Sequence, residues 1–220
     1  MPGAWRPVDG EGDRAKRGGG AGGGALTLNP IALDTDPTTL ARDLAPGFGG
    51  DPEPARAMLE QTLGLLTREP RPDPWGCYLA SADGRTVGTC AFKAAPDAAG
   101  AVEIAYMAFP AFERQGHATA MAAALVEIAA AAGAPLAIAH TLPEENASNR
   151  ALRRNGFTFA GEVEDHEDGI VWRWEKPLGE CVEGQADRKV ELSRRIRAET
   201  NNPPGSVEGT RLIREDRDRS

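Results

Sequence analysis

The sequence predicts one α/β domain of six to seven strands with helices interspersed, and three observations carry that prediction. A chain of 220 residues suits a single sizeable core better than two. Runs with strand-like alternation are separated by segments whose apolar residues recur at helical spacing. Two strand pairs flank turn sequences, Asp83-Gly84 and the acidic EDHEDG, and read as hairpins.

The elements follow in order. Residues 1–25 contain GDRAKRGGGAGGGA, which has no side chains to bury in return for the backbone entropy lost on ordering, so this segment is expected to be disordered. LTLNPIAL is a short strand. DPTTLARDLAP offers Asp36 or Thr38 as the cap of a brief helix. In residues 51–70, Asp51 is the expected cap and Pro52 sits in the first turn, with Ala55, Met58, Leu59, Leu63 and Leu66 along one face. Pro70, Pro72 and Pro74 stop that helix.

WGCYLASADGRTVGTCAFK is the first hairpin. With a two-residue turn at Asp83-Gly84, cross-strand partners sum to 167 and Cys77 lies opposite Cys90, as a disulfide or, preferably in a reducing compartment, as packed thiols. AVEIAYMAF alternates, with Val102, Ile104 and Tyr106 on one face and Glu103, Ala105 and Met107 on the other. Residues 114–132 read as a helix with Ala118, Met121, Ala122, Leu125, Val126 and Ala129 facing inward, ended by Gly133 and Pro135. PLAIAHTL is a buried strand, NASNRALRRNG a short helix closed by Gly156, and residues 157–176 the second hairpin. Residues 177–220 read as a mostly disordered charged tail, with a short helix over 187–199 as the one ordered element in it.

Charge is uneven along the chain. Residues 1–25 carry four basic and three acidic side chains and residues 177–220 nine of each, so the net charge of −8 arises in the middle section, with 12 basic and 21 acidic groups. This argues against a nucleic-acid partner and is compatible with a cationic or amine substrate, though solubility alone also accounts for it. The cysteines, Cys77, Cys90 and Cys181, lack metal or redox spacing, and no apolar run is strong enough to span a bilayer. A cytoplasmic protein without membrane partners is the expectation. The three histidines, His117, His140 and His166, stand on three different elements, and no metal site is expected; Glu164, Asp165 and Glu167 lack the ordered calcium-loop pattern.

FPAFERQGHATAM raises a more specific expectation. A glycine at a strand-to-helix junction leaves backbone N–H groups unpaired and lets an anion approach them. The order EIAYMAF, proline, FERQGHAT, long helix, LAIAHTL and NASNRALRRNGF resembles the GCN5-related N-acetyltransferases (GNAT), in particular the branch similar to ribosomal-protein alanine acetyltransferases. The resemblance covers about residues 26–176 and is most specific in RQGHAT and NASNRALRRNGF.

The resemblance implies a mixed, largely antiparallel sheet with helices on both faces, splayed between the strand ending near Phe109 and the strand over 136–142. It implies that acetyl-CoA is the co-substrate, its pantetheine arm in the splay along the backbone of Met107, Ala108 and Phe109, and its pyrophosphate on Arg114, Gln115, Gly116, His117, Ala118 and Thr119. It implies acetyl transfer to a primary amine, of a small molecule or of a protein N-terminus, by direct attack in a ternary complex. Glu103 stands where the resembled branch often has its glutamate base; the alternative is a glutamate facing solvent or holding a neighbouring arginine. Ser148 is the branch's usual serine and is assigned to face the thiol, the alternative being a hydroxyl that ties up a free N–H at the helix start. Asn146, and next to it Asn149, are cofactor contacts or caps.

His117 is a phosphate or adenine contact or a neutral cover of the helix start, and His140 a second base or water holder. Three positions depart from the family's pattern. Glu113 brings negative charge toward a diphosphate, Glu145 replaces a frequent asparagine, and Leu152 stands where many relatives carry a tyrosine that serves the thiolate. The alternative function is a non-catalytic acyl-CoA-binding or peptide-binding module. Acidic residues of the 36–74 region, Asp51, Glu53, Glu60 and Asp73, are expected along one acceptor wall. Monomer and homodimer are both open.

Overall fold

The computed structural model describes residues 26–165 and 169–179. The N-terminal segment 1–25, the tail from residue 180 with its expected helix, Cys181, His166 and Glu167 all lie outside the described residues.

Seven strands form one sheet: β1 (Thr27–Pro30), β2 (Cys77–Ala82), β3 (Arg85–Phe92), β4 (Val102–Ala108), β5 (Leu136–Thr141), β6 (Thr158–Asp165) and β7 (Gly169–Pro177), ordered β1-β2-β3-β4-β5-β7-β6. Every neighbouring pair is antiparallel except β4 and β5. Helices α1 (Pro37–Leu44) and α2 (Glu53–Arg68) cover one face; α3 (His117–Ala131) and α4 (Ala147–Arg154) cover the other. The mixed, largely antiparallel sheet of the expectation is therefore the observed fold.

Asp36 caps α1, accepting from the N–H groups of Thr38 and Thr39 at 3.1 Å each. At α2 the cap position is Pro52, and Asp51 accepts from Glu53 N–H at 3.0 Å. Ala55, Met58, Leu59 and Leu66 are buried as their spacing requires, with Leu63 at the margin. On the other face α3 inserts Met121, Ala122, Leu125, Val126 and Ala129. Leu178 also packs there, and its N–H donates to Pro135 O at 2.9 Å, so the domain extends two residues past the expected boundary at 176.

The first hairpin corrects the expected register. The turn is two residues long, and Ala82↔Arg85 and Ser81↔Thr86 sum to 167 as expected. An irregularity between Ala80 and Ser81 then shifts the register, pairing Tyr78 with Cys90 and Cys77 with Ala91. An inserted residue in one strand changes which face its neighbours occupy. Cys77 accordingly joins the core under α1 and α2, Cys90 the core under α3 and α4, and both are free thiols. Burial pushes both thiols up from their ordinary range.

Two close approaches fix the end of β4. Phe109 is fully buried against Phe48, ring centroids 4.6 Å apart, and packs on Gly47, where a Cβ would stand 2.7 Å from its ring. A Cβ on Gly88 would lie 2.3 Å from the Met107 carbonyl oxygen. Both glycines are needed for want of a side chain, and together they set where the following loop begins.

A splayed sheet and its candidate active site

β4 and β5 pair at only two positions, Val102↔Ala137 and Glu103↔Ile138, after which no ladder joins them although both strands continue. The sheet opens there. In the antiparallel β3–β4 pair, Lys93 N–H donates to Glu103 O and Phe109 N–H to Val87 O, both at 2.9 Å, so the odd-numbered residues of β4 direct their backbone toward β3. The amides of Met107 and Phe109 thus face β3, and the polar backbone of Ile104, Tyr106 and Ala108 faces the opening.

Beyond Phe109 the chain makes a 3-10 turn over Pro110–Phe112 and enters a loop in which Arg114 (φ 59°) and Gly116 (φ 89°) are left-handed. Such backbone cannot be α-helical, so α3 begins at His117 and not at Arg114 as expected. Left-handed residues interrupting a right-handed path turn successive N–H groups toward one side. The first helical bond is Ala120 N–H to Gly116 O, 3.1 Å. Among the described residues the N–H groups of Arg114, Gln115, Gly116, His117, Ala118 and Thr119 find no acceptor. Six consecutive unpaired donors at the positive end of a 15-residue helix are an arrangement of the kind that attracts an anion. His117 packs edge-on against Phe112 at 6.3 Å, and Gln115 is tied back through its Nε2 to Ala111 O at 3.2 Å.

At the root of the opening, Glu103 is three-quarters buried and its Oε1 accepts from Lys93 Nζ at 2.7 Å and from His140 Nδ1 at 2.9 Å. Burial alone would raise its pKa; the hydrogen bonds from His140 and Lys93, with the charge of Lys93, outweigh burial and hold the carboxyl below its usual range. Glu103 is therefore only partly exposed, and its partners are Lys93 and His140, not an arginine. The register places it on the face that also carries Ile138 and His140.

Ser148 lies across the sheet, on the first turn of α4. Asn146 supplies the cap, its Oδ1 accepting from Asn149 N–H at 3.1 Å, which leaves the Ser148 hydroxyl unbonded among the described residues. Tyr106 reaches over from β4 and donates its hydroxyl to Ser148 O at 3.3 Å, bridging the two sides of the opening. Asn149 is fully buried; its Nδ2 donates to Glu144 O at 2.7 Å while Oδ1 is enclosed without a partner. Leu152 is wholly in the core. Glu145 is held by Arg153 through two hydrogen bonds, and Glu113 is exposed. Of the expected acidic wall, Glu53 and Glu60 are both bound by Arg56, at 2.6 and 2.8 Å, and among the described residues Asp51 and Asp73 have no basic side chain paired with them.

Sequence reasoning did not find Lys93 or Tyr106. Lys93 follows Phe92 off the end of β3, and only the β3–β4 register reveals that it meets Glu103. Among the described residues no group of three or more metal-binding side chains occurs, and no helix is long and apolar enough to cross a membrane.

Comparison with known proteins bears on the family and the fold. No curated protein matches the chain in sequence. Among solved structures, the acetyltransferase that modifies the N-terminal serine of ribosomal protein L7/L12 in Salmonella typhimurium is similar, with 19% identity over 70% of this chain and 96% of that one and a TM-score of 0.53. A Vibrio cholerae protein described as a putative ribosomal-protein-serine acetyltransferase aligns with 14% identity over 70% and 94%, TM-score 0.55. The microcin C7 self-immunity acetyltransferase MccE, solved with acetyl-CoA and AMP, aligns with 16% identity over 70% and 92%, TM-score 0.52. These likenesses carry the fold. Residues 26–158, more than half of the chain, match the family model described as "Acetyltransferase (GNAT) domain", and the chain therefore belongs to the GNAT acetyltransferases.

Proposed function

We propose that the protein transfers an acetyl group from acetyl-CoA to a primary amine by direct attack in a ternary complex, with Glu103 accepting the amine's proton. The observation that carries this reading is the run of unpaired N–H groups from Arg114 to Thr119 beside a gap with unpaired strand backbone. A diphosphate meets six donors there with no lysine required. The backbone of Ala108, directed into the opening, suits the amide groups of a pantetheine arm and is placed to donate to an acetyl carbonyl.

Acetyl-CoA supplies an activated thioester. An ammonium has no lone pair, so the acceptor must be neutral when it attacks, and a carboxylate that stays ionised well below neutral pH is ready to take its proton directly or through water. As the carbon–sulfur bond breaks, a hydroxyl facing the sulfur stabilises the departing thiolate, and Ser148, with its hydroxyl unbonded, is assigned that part. Asn146 and Asn149 support this reading through position: the cap holds the first turn of α4, and with it Ser148, at the edge of the opening.

The acceptor is the amine of a small molecule or a protein N-terminus. Structural neighbours include a spermidine N-acetyltransferase chimera as well as the ribosomal-protein enzymes, and both kinds of acceptor are cationic before deprotonation.

Calorimetric titration with acetyl-CoA, CoA and ATP tests the cofactor. Binding that depends on the pantetheine arm is expected, and failure to bind acetyl-CoA overturns the reading. Glu103→Gln is expected to slow acetylation most below about pH 8, where less free amine exists, and recovery should follow at higher pH. A rate ratio to wild type that stays flat across that range removes Glu103 from the mechanism. Loss of rate with retained acetyl-CoA affinity separates an enzyme from a non-catalytic acyl-CoA-binding module.

A further inference from the structure

We infer that Lys93 and His140 are positioning residues that hold one oxygen of Glu103 and leave the other free to meet the acceptor amine. The inference rests on the reading of Glu103 as proton acceptor. Both donors converge on the same atom, Oε1, from opposite neighbouring strands: Lys93 Nζ at 2.7 Å from the β3 side and His140 Nδ1 at 2.9 Å from β5. Oε2 accepts no hydrogen bond among the described residues, and it is not one of the enclosed, unpartnered polar atoms. Two donors on one oxygen restrict the rotation of the carboxylate plane, so the direction of Oε2 is fixed before an amine arrives.

The histidine's own geometry assigns its part. His140 is mostly buried, and its Nε2 is enclosed with no polar partner, so that atom is not the one presented to an acceptor. For Nδ1 to donate to a carboxylate, the proton of the neutral ring must sit on Nδ1. Lys93 adds positive charge and keeps the carboxylate ionised. On the same face the register sets Arg173 and Glu175 of β7 beside His140 and Ile138, and these two pair with each other at 2.7 Å.

The test combines nuclear magnetic resonance with kinetics on the full chain. In 15N-histidine spectra near neutral pH, His140 is expected as the Nδ1–H tautomer; an Nε2–H tautomer overturns the inference without any substrate. In kinetics with spermidine and an alanyl peptide as amine probes, Lys93→Met and His140→Leu are expected to lose about tenfold or more in kcat, with KM for acetyl-CoA unchanged. The acidic limb of their pH profiles should move to higher pH, because each variant removes a donor that favours the ionised carboxylate. His140→Asn places an amide near the former Nδ1 and removes Nε2 altogether, and it is expected to stay close to the wild-type rate.

Collapse of His140→Asn to the level of His140→Leu instead assigns the work to Nε2 and overturns the inference. Lys93 is half-exposed, so Lys93→Met keeps the test open should a His140 variant misfold. If Glu103→Gln is slow while Lys93→Met and His140→Leu retain wild-type kcat and pH profile, the positioning role fails and the base survives. If Glu103→Gln itself is unimpaired, the reading beneath the inference fails.

Discussion

Replacing Gly88 by alanine tests how the fold positions its opening. The added Cβ would meet the Met107 carbonyl oxygen at 2.3 Å, the Met121 methyl at 2.8 Å and Ala108 Cα at 3.1 Å, where real Cβ contacts essentially never fall under 3.0 Å. The methionine methyl can rotate aside, whereas the other two contacts are backbone of β4. That strand must retreat by about 0.7 Å, the difference between 2.3 and 3.0 Å, and it retreats toward the opening that its Ala108 amide borders. Overpacking of this kind costs about 1–3 kcal/mol, and the rigid backbone puts this case near the top of that range. At about 2–4 °C per kcal/mol for a chain of this size, the melting temperature should fall by about 6–12 °C. Thermal unfolding by circular dichroism gives the first readout and acetyl-CoA titration the second, with affinity expected to drop by about tenfold or more. A melting temperature within about 1 °C of wild type, together with unchanged affinity, would refute the reasoning, because it would mean that β4 yields freely and does not define the gap.

Gly116→Pro is expected to abolish acetyl-CoA binding while the fold persists, since it removes one N–H from the run of donors and forbids a φ of 89°; unchanged affinity by calorimetry would contradict the anion-site assignment. Cys77 and Cys90, buried on opposite sheet faces with raised pKa, should resist alkylation in the native protein and label only on unfolding, as peptide mass spectrometry can check. Glu103 has a lowered folded pKa, so its bonds to Lys93 and His140 stabilise the protein above the ordinary carboxylate range, and that stability is lost as pH falls through the folded value. Denaturant unfolding from pH 7 downward should therefore show a smaller acid loss for Glu103→Gln than for wild type, and parallel curves would refute the pairing.

Period and turn chemistry made most of the fold legible. The alternation of Val102 to Met107 separated the two faces of β4 before any coordinates, because a half-buried strand has no other way to satisfy both cores. The first hairpin shows where such reasoning ends: Asp83-Gly84 specified the turn, but Val87 of β3 is an extra residue opposite the step from Ala80 to Ser81, signalled only by the glycine that follows it, so the expected cysteine pairing is one residue off. The start of α3 was misplaced for a related reason, since Arg114 has no sequence feature that announces a left-handed backbone. Glu103 was found from its place on the strand before the loop. Its partners were not, because a contact between residues 93, 103 and 140 depends on two registers at once. The backbone donors of the loop carry no side-chain signature beyond Gly116, whose place at a strand-to-helix junction pointed to them weakly and the resemblance more strongly.

The two-residue contact between β4 and β5 has a mechanical consequence. Four strands lie on one side of it and three on the other, so the sheet is two panels joined by a narrow seam at one end and tied elsewhere by Tyr106 to α4 and by Asn155, which follows α4, to Thr119 of α3. Panels hinged at one edge can breathe at the other, and the free edge is where the unpaired strand backbone lies. A ligand that bonds both sides of the opening acts as a missing eighth strand, closing the seam along its length and converting two panels into one continuous sheet. Occupancy and rigidity would then rise together, and slow amide exchange in β7, which borders β5 and not the opening, would report the ligand from residues that never touch it.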